Sequence, residues 1–483
     1  MKKTFVLFQN SLFSLPTADT SSAPVLLNKY IDIMLKDGYS LLCINKEEQK
    51  KRYMPFRALY NNNKHFWLQS KGWSFHIAED DLEEIRSKAG GSEKHVQDVN
   101  SEIQESLPEP LTDLSGFGSD YKAISAMTEA EKIQILNNDK EKIDRLIEEK
   151  SPDAEIVAET MIDSTKNAAL INHTVLVNSM HITDSEAKKL TQNMVNSTFN
   201  MVESSAQLVS ANILEDEMMN NLIEKSNGTI INHITKTYIN GVSFLAYYNN
   251  LVSSSSKIAR LRIVFAEKYL KYYRPLLPHI EAEKITLERV FYKGMRAISP
   301  ELFVRWAVGF LIHDIGKAAS VQYHEGEGAY NRDIVIEHVK LGYKYIMDKT
   351  NFPKEAGIIA GYHHEYYGDS AGYGYFRAYE TQYKKAHPYA KHDFCISYEL
   401  EPMLEYKTLA YFPAKVLEII DIYDSMTDPH RKYKAALSHD EAIETMRDEF
   451  ITNALKIDPI IFDFFVSFMQ GKQNEQKKSA TPP

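Results

Sequence analysis

His313-Asp314-Ile315-Gly316-Lys317, His338, His363-His364-Glu365 and Asp421 follow one another in an order that suits a metal centre. Imidazole nitrogens combined with carboxylates suit iron, manganese, zinc or cobalt, and the lack of thiolates beside them argues against a purely structural zinc. Two ions that share a carboxylate, about 3.5–4 Å apart, form the usual clamp for hydrolysing a phosphodiester. Each residue alone is a weak signal, because a lone buried histidine is more often a hydrogen-bonded core residue, and the chain has 16 histidines. His324, His387, His392, His430 and His439 read in that ordinary class. The ordered set carries the argument.

Such residues must be held by elements that can bury them. Ser299-Pro300-Glu301 is a helix start: a side-chain cap, a proline in the first turn and an acid at the positive helix end. The helix that follows, Leu302 to Ile312, is almost wholly apolar and must be buried, and it delivers His313, Asp314 and Lys317 to its end. Burying such groups is costly unless they are paired, and a metal ion would pair them. Asp421 belongs to a helix opened by Pro413, in which Val416, Leu417, Ile419, Ile420 and Ile422 leave little polar surface. Ser438 and Glu441 form a capping box for a further helix.

With these residues in place, the segment from about 226 to 470 resembles the HD-GYP family, a branch of the HD metal-dependent phosphohydrolases. The match runs through His313-Asp314-Ile315-Gly316-Lys317, His338, His363-His364-Glu365 and Gly372-Tyr373-Gly374. It continues through Asp421-Ile422-Tyr423-Asp424-Ser425-Met426-Thr427, Arg431, Tyr433, Lys434 and Ala436-Leu437-Ser438. The resemblance implies a helical catalytic domain with a binuclear or trinuclear centre of iron or manganese, which hydrolyses the bacterial messenger cyclic di-GMP to pGpG or GMP. It implies that Asp314 bridges the ions, with His313, His338, His363, His364 and Asp421 as terminal ligands. By the same resemblance Lys317 meets a substrate phosphate, Arg431 and Lys434 contact the nucleotide's phosphates, and Tyr373 lies on the substrate side. The family's first ligand is a histidine on the domain's opening helix; His233 fits one register and Asn240 another. In neither register does a carboxylate stand four residues earlier, where Thr229 and Lys236 occur, so two ions rather than three are expected. Two alternatives stay open: a weakly catalytic cyclic di-GMP sensor, and an HD phosphohydrolase acting on another nucleotide.

This sequence departs from the family in two places. Gly374 stands where the family has proline, which bears on any protein partner docking at the Gly372-Tyr373-Gly374 turn. An insertion from about Tyr375 to Phe412, rich in tyrosine, reads as a lid over the site or as an extra packed loop, with the lid slightly favoured.

The remainder of the chain is read as support. Residues 1–88 form a small α/β regulatory or docking unit: Thr4 to Phe8, Tyr39 to Ile44, His65 to Leu68 and Trp73 to Ile77 read as strands, and Leu26 to Lys36 as a helix stopped at Gly38. Residues 89–120 have linker composition. Residues 121–225 carry Ile133, Ile135, Leu136, Ile143, Leu146 and Ile147 at helical spacings and read as amphipathic helices that regulate, dimerise or simply space. Residues 471–483 read as a disordered tail. The expected class is therefore mainly α, with a helical catalytic domain, a helical middle and a small α/β unit. With 56 basic against 66 acidic residues, binding to nucleic acid by overall charge is excluded. Cys43 and Cys395 are too few for a disulfide framework. No apolar run is long enough to span a membrane, and Gln9 and Asn10 interrupt the apolar start, so a cytoplasmic location is expected.

Overall fold

The computed structural model describes residues 119–149, 152–179, 182–211, 229–319, 332–368, 372–375, 391–405, 407–429 and 435–479, together with parts of the first 88. Two compact units result, Met1–Glu109 and Pro110–Pro483. The protein is mainly helical, with a small sheet near the N-terminus. No described helix is long and apolar enough to cross a membrane.

In the first unit, strands β1 (Thr4–Leu7), β2 (Ser40–Asn45), β3 (Lys50–Pro55) and β4 (Trp73–Ala78) form an antiparallel sheet in the order β1-β4-β2-β3. Alternation explains β2: Leu41 and Cys43 are buried, whereas their neighbours are less so. Strand β3 pairs Arg52 with Cys43, and its basic, exposed sequence hid it from pattern reading. The strand expected at His65 to Leu68 lies outside the described residues, as does most of the helix expected from Leu26.

The second unit begins with helices α1 (Ser119–Ala126), α2 (Glu129–Glu148), α3 (Ala154–Ser179) and α4 (Asp184–Ala211). A capping box starts α2: Thr128 Oγ1 accepts from Glu131 N at 3.3 Å, and Thr128 N donates to Glu131 Oε2 at 2.7 Å. Leu136, Ile143 and Leu146 then make the buried stripe of α2, leaving Ile147 exposed. Next come α5 (Thr229–Ser253), α6 (Ser255–Lys268), α7 (Pro300–Ile312), α8 (Arg332–Lys344), α9 (Lys354–Tyr362), α10 (Phe412–Thr427), α11 (His439–Arg447) and α12 (Pro459–Ser479).

Helix α7 is the axis. Ser299 caps it by accepting from Leu302 N, as expected, and Phe303, Trp306, Val308, Phe310, Leu311 and Ile312 are all buried. Each such side chain contributes about 1.5–3 kcal/mol relative to exposure. Helices α3, α4, α5 and α9 pack around α7, and α10 packs on α5 and α9. Helices α1 to α4, from the region read as a separate helical middle, 121–225, thus share one hydrophobic core with the helices that follow.

Two other stretches depart from the sequence reading. Helix α12 continues through Gly471 to Ser479 where a disordered tail was expected, because buried Lys472 donates to Asn240 Oδ1 at 3.0 Å and lies over the Phe468 ring. In the second half of the insertion, β5 (Phe394–Ser397) pairs in parallel with β6 (Thr408–Tyr411). Tyr398 and Tyr411 there are fully buried against Trp306 and Phe412, so this half is packed structure and not a lid. Residues 376–390 of the insertion lie outside the described part.

Candidate metal centre

Two histidines are presented by the same local device. His313 ends α7 and His363 ends α9, and each Nδ1–H donates back to a carbonyl three residues earlier, Phe310 O and Ala360 O, both at 2.8 Å. A carbonyl can only accept, so the proton sits on Nδ1 and the lone pair of Nε2 is turned to the site. His233, in the first turns of α5, is held likewise: its Nδ1 lies 2.6 Å from Asp424 Oδ2 on α10. The register question is thereby answered by position: His233 is at the site, and Asn240 is engaged by Lys472.

Asp314 is the hub and is wholly buried. Its Oδ2 lies 3.3 Å from His233 Nε2 and 3.5 Å from His313 Nε2, while its Oδ1 lies 3.2 Å from His338 Nε2 and 3.9 Å from His363 Nε2. Asp421 joins from α10, with Oδ1 3.0 Å from His233 Nε2 and Oδ2 3.8 Å from His364 Nδ1. Two groups of ligand atoms result, His233–His313–Asp314 and His338–His363–His364, each within 4.8 Å. Lys317, in the 3₁₀ turn Ile315–Ala319, has its ammonium on Asp314 Oδ2. Tyr373 packs on His364 with ring centroids 4.3 Å apart and the ring planes tilted by 33°.

The ionisation pattern suits cation binding. Burial opposes charge on Asp314, but Lys317 and the surrounding histidines outweigh it and hold the carboxyl well below its ordinary range. Asp421 behaves likewise, with His233 and His364 as the opposing groups. Burial depresses His313, His363 and His364, the last to about 3, so these imidazoles are neutral near pH 7. Burial also works against charge on His233, yet Asp314, Asp421 and Asp424 together raise it well above the usual imidazole range. Anionic carboxylates and neutral imidazoles are the forms that bind metal, and an ion near His233 would displace its proton.

The donor set also passes a stricter test. His233 Nε2, His313 Nε2, His363 Nε2 and Asp314 Oδ1 are buried yet make no hydrogen bond of proper geometry among the described residues. Buried polar atoms are almost always satisfied. Several that converge on one place without mutual hydrogen bonds fit a bound cation.

Close packing sets the spacing of the two groups. A Cβ on Gly316 would overlap the His338 carbonyl oxygen, so the turn carrying Lys317 lies directly on α8. Behind the His363–His364 turn, buried Lys415 of α10 donates to Glu365 O at 2.9 Å and Lys456 O at 3.1 Å, and pairs with Glu418 at 2.5 Å. Asp458, beside this pair, accepts from Tyr273 and Tyr367 hydroxyls.

The structure thus gathers His233, His313, Asp314, Lys317, His338, His363, His364, Tyr373 and Asp421. Arg431 and Lys434 lie outside the described residues. Sequence reasoning missed two contributors. Asp424 is one acid within the Asp421–Thr427 run, and its place one turn after Asp421 puts both carboxylates on one face of α10. His173 of α3 is fully buried, with Nδ1 2.7 Å from Ala169 O, and burial pushes it down to about 4 in the fields of Asp314 and His313. Its signal was the polar pair Asn172-His173 inside an otherwise apolar run. No protein-family description, curated protein or solved structure matches this chain.

Proposed function

We propose that this chain is a metal-dependent phosphodiesterase of the HD-GYP kind, acting on cyclic di-GMP. One observation carries the reading: Asp314 divides its two oxygens between two histidine groups, the arrangement a carboxylate needs to serve two cations at once. Two divalent ions at such a site supply Lewis acidity towards a phosphate oxygen and lower the pKa of water. The chain's own residues do the rest. Asp314, Asp421 and the histidines would hold the cations, with His233 oriented by Asp424. Lys317 would offer a point charge to a phosphate oxygen as the water oxygen bonds to phosphorus, the P–O bond to the ribose breaks, and the proton lost by the water ends on the departing ribose oxygen. Arg431 and Lys434 would meet the remaining phosphate. The N-terminal sheet unit serves regulation in this reading, in a cytoplasmic protein that uses iron or manganese.

The test is product analysis. Protein purified with iron or manganese is incubated with cyclic di-GMP, and pGpG or GMP is expected, with none from Asp314→Ala. Metal-filled protein that leaves cyclic di-GMP intact but cleaves another phosphoester would overturn the substrate assignment. Tight nucleotide binding without product would instead make it a sensor.

A further inference from the structure

The Gly372-Tyr373-Gly374 turn is folded onto the site. The backbone N–H groups of Tyr373 and Gly374 both donate to the His364 carbonyl oxygen, at 3.0 and 3.1 Å. The Tyr373 ring lies on the His364 imidazole at 4.3 Å and 33°, and stands edge-on to His338 at 6.4 Å. Beyond it, Tyr375 packs on Tyr343 of α8, the helix that carries His338, with ring centroids 5.0 Å apart. The segment therefore clips the His363–His364 turn to α8.

Both glycines are explained by this closeness. A Cβ at Gly372 would come within 2.6 Å of Tyr366 N and 2.9 Å of His364 O. A Cβ at Gly374 would overlap the buried Glu365 carboxylate. Proline at 374 would meet the same obstacle and would also lack the N–H that now bonds to His364. Glycine in place of the family's proline thus belongs to a turn committed inward, with its backbone donors already spent on a ligand residue.

We infer that Tyr373 and Gly374 are positioning residues that set the His364 ring, and with it the three-histidine half of the centre, instead of forming a docking turn for a protein partner. This rests on the metal-centre reading. The Tyr373 ring packed on the imidazole restricts its rotation about the Cβ–Cγ bond, and the two N–H bonds fix the backbone from which it projects. Tyr373 thereby acts as an outer-shell residue, whose loss costs metal affinity without removing a ligand.

The experiment has two readouts on the full chain. In metal-free protein labelled with ¹³C-histidine, the ring proton resonances of His364, assigned by their loss in His364→Ala, should be displaced by the Tyr373 ring current. Tyr373→Ala should return them towards the free imidazole position, and Tyr373→Phe should keep them displaced. In manganese titration, Tyr373→Ala should weaken one of two ions by roughly 10–100-fold and leave the other unchanged, with Tyr373→Phe restoring affinity. Gly374→Ala should weaken the same ion. Histidine resonances and manganese affinities in Tyr373→Ala identical to wild type would overturn the inference. Failure of the wild type itself to take up manganese would sink the metal reading, and the resonances alone would then decide the positioning role.

Discussion

His233 and Asp424 meet through a 2.6 Å contact between Nδ1 and Oδ2, although 191 residues separate them in the chain. The pair joins α5, which opens the segment, to α10, which supplies Asp421, and it leaves His233 Nε2 aimed at Asp314 and Asp421. A carboxylate on the far nitrogen of a ligand histidine sets its tautomer and raises its basicity.

Asp424→Asn should therefore keep the fold and lose metal affinity. A 10–100-fold weakening is the expected scale. Competition against a chromogenic chelator measures it, and an affinity equal to wild type would show that His233 needs no such partner.

Asp314→Ala removes the oxygens that face both histidine groups at once. Elemental analysis should find it retaining at most one ion per chain, with phosphodiester cleavage below detection. Circular dichroism should retain the helical signal; its collapse would show that the aspartate is also structural. His363→Ala should lose one ion only, from the three-histidine group.

Gly316→Ala is expected to be severe for a different reason. The added methyl has no room because its obstacle is the His338 backbone and not a flexible side chain. Overpacking of a core costs typically about 1–3 kcal/mol, and a rigid obstacle places this case at the upper end or beyond. Urea denaturation reads the loss directly, and an unchanged midpoint would refute the close packing of that turn on α8.

Glu418 makes stability depend on pH. Burial raises its carboxyl from 4.5 to about 8, and Lys415 only partly offsets this. The folded chain thus binds a proton that the unfolded chain releases between those values, so this group's contribution to stability falls as pH rises from about 4.5 to about 8 and is level above. The depressed histidines His313, His363 and His364 act oppositely, adding stability as pH rises towards 6.5. Comparing thermal melts of metal-free wild type and Glu418→Gln isolates the carboxylate. The variant should gain on wild type steadily towards pH 8, by an amount on the order of a few kcal/mol; parallel curves would exclude the raised pKa.

Much of this centre was legible in the sequence, for a physical reason: a His-Asp pair at the end of a wholly apolar helix has no inexpensive explanation other than a partner held in the core. The caps at Ser299 and Ser438 were legible because they depend on residues three apart. What escaped depends on contacts between distant segments. Asp424 looked like one acid among many until α5 brought His233 to it. The same contact decided between His233 and Asn240, and Asn240 is taken instead by Lys472, in a stretch whose composition reads as solvent-loving. Strand β3, a run of lysine, arginine and tyrosine, is held by pairing with β2 and not by its own pattern.

Helices α3 and α4 lie against α5 and α7, and α3 also touches the turn that carries Lys317. A proteolytic or recombinant fragment beginning near residue 226 would strip that flank bare, exposing apolar side chains along α7 and removing His173 from behind Asp314. Such a fragment should aggregate instead of folding as a minimal metal-binding unit. An unrelated helical pair could not take the place of these two helices without rebuilding the wall behind Asp314.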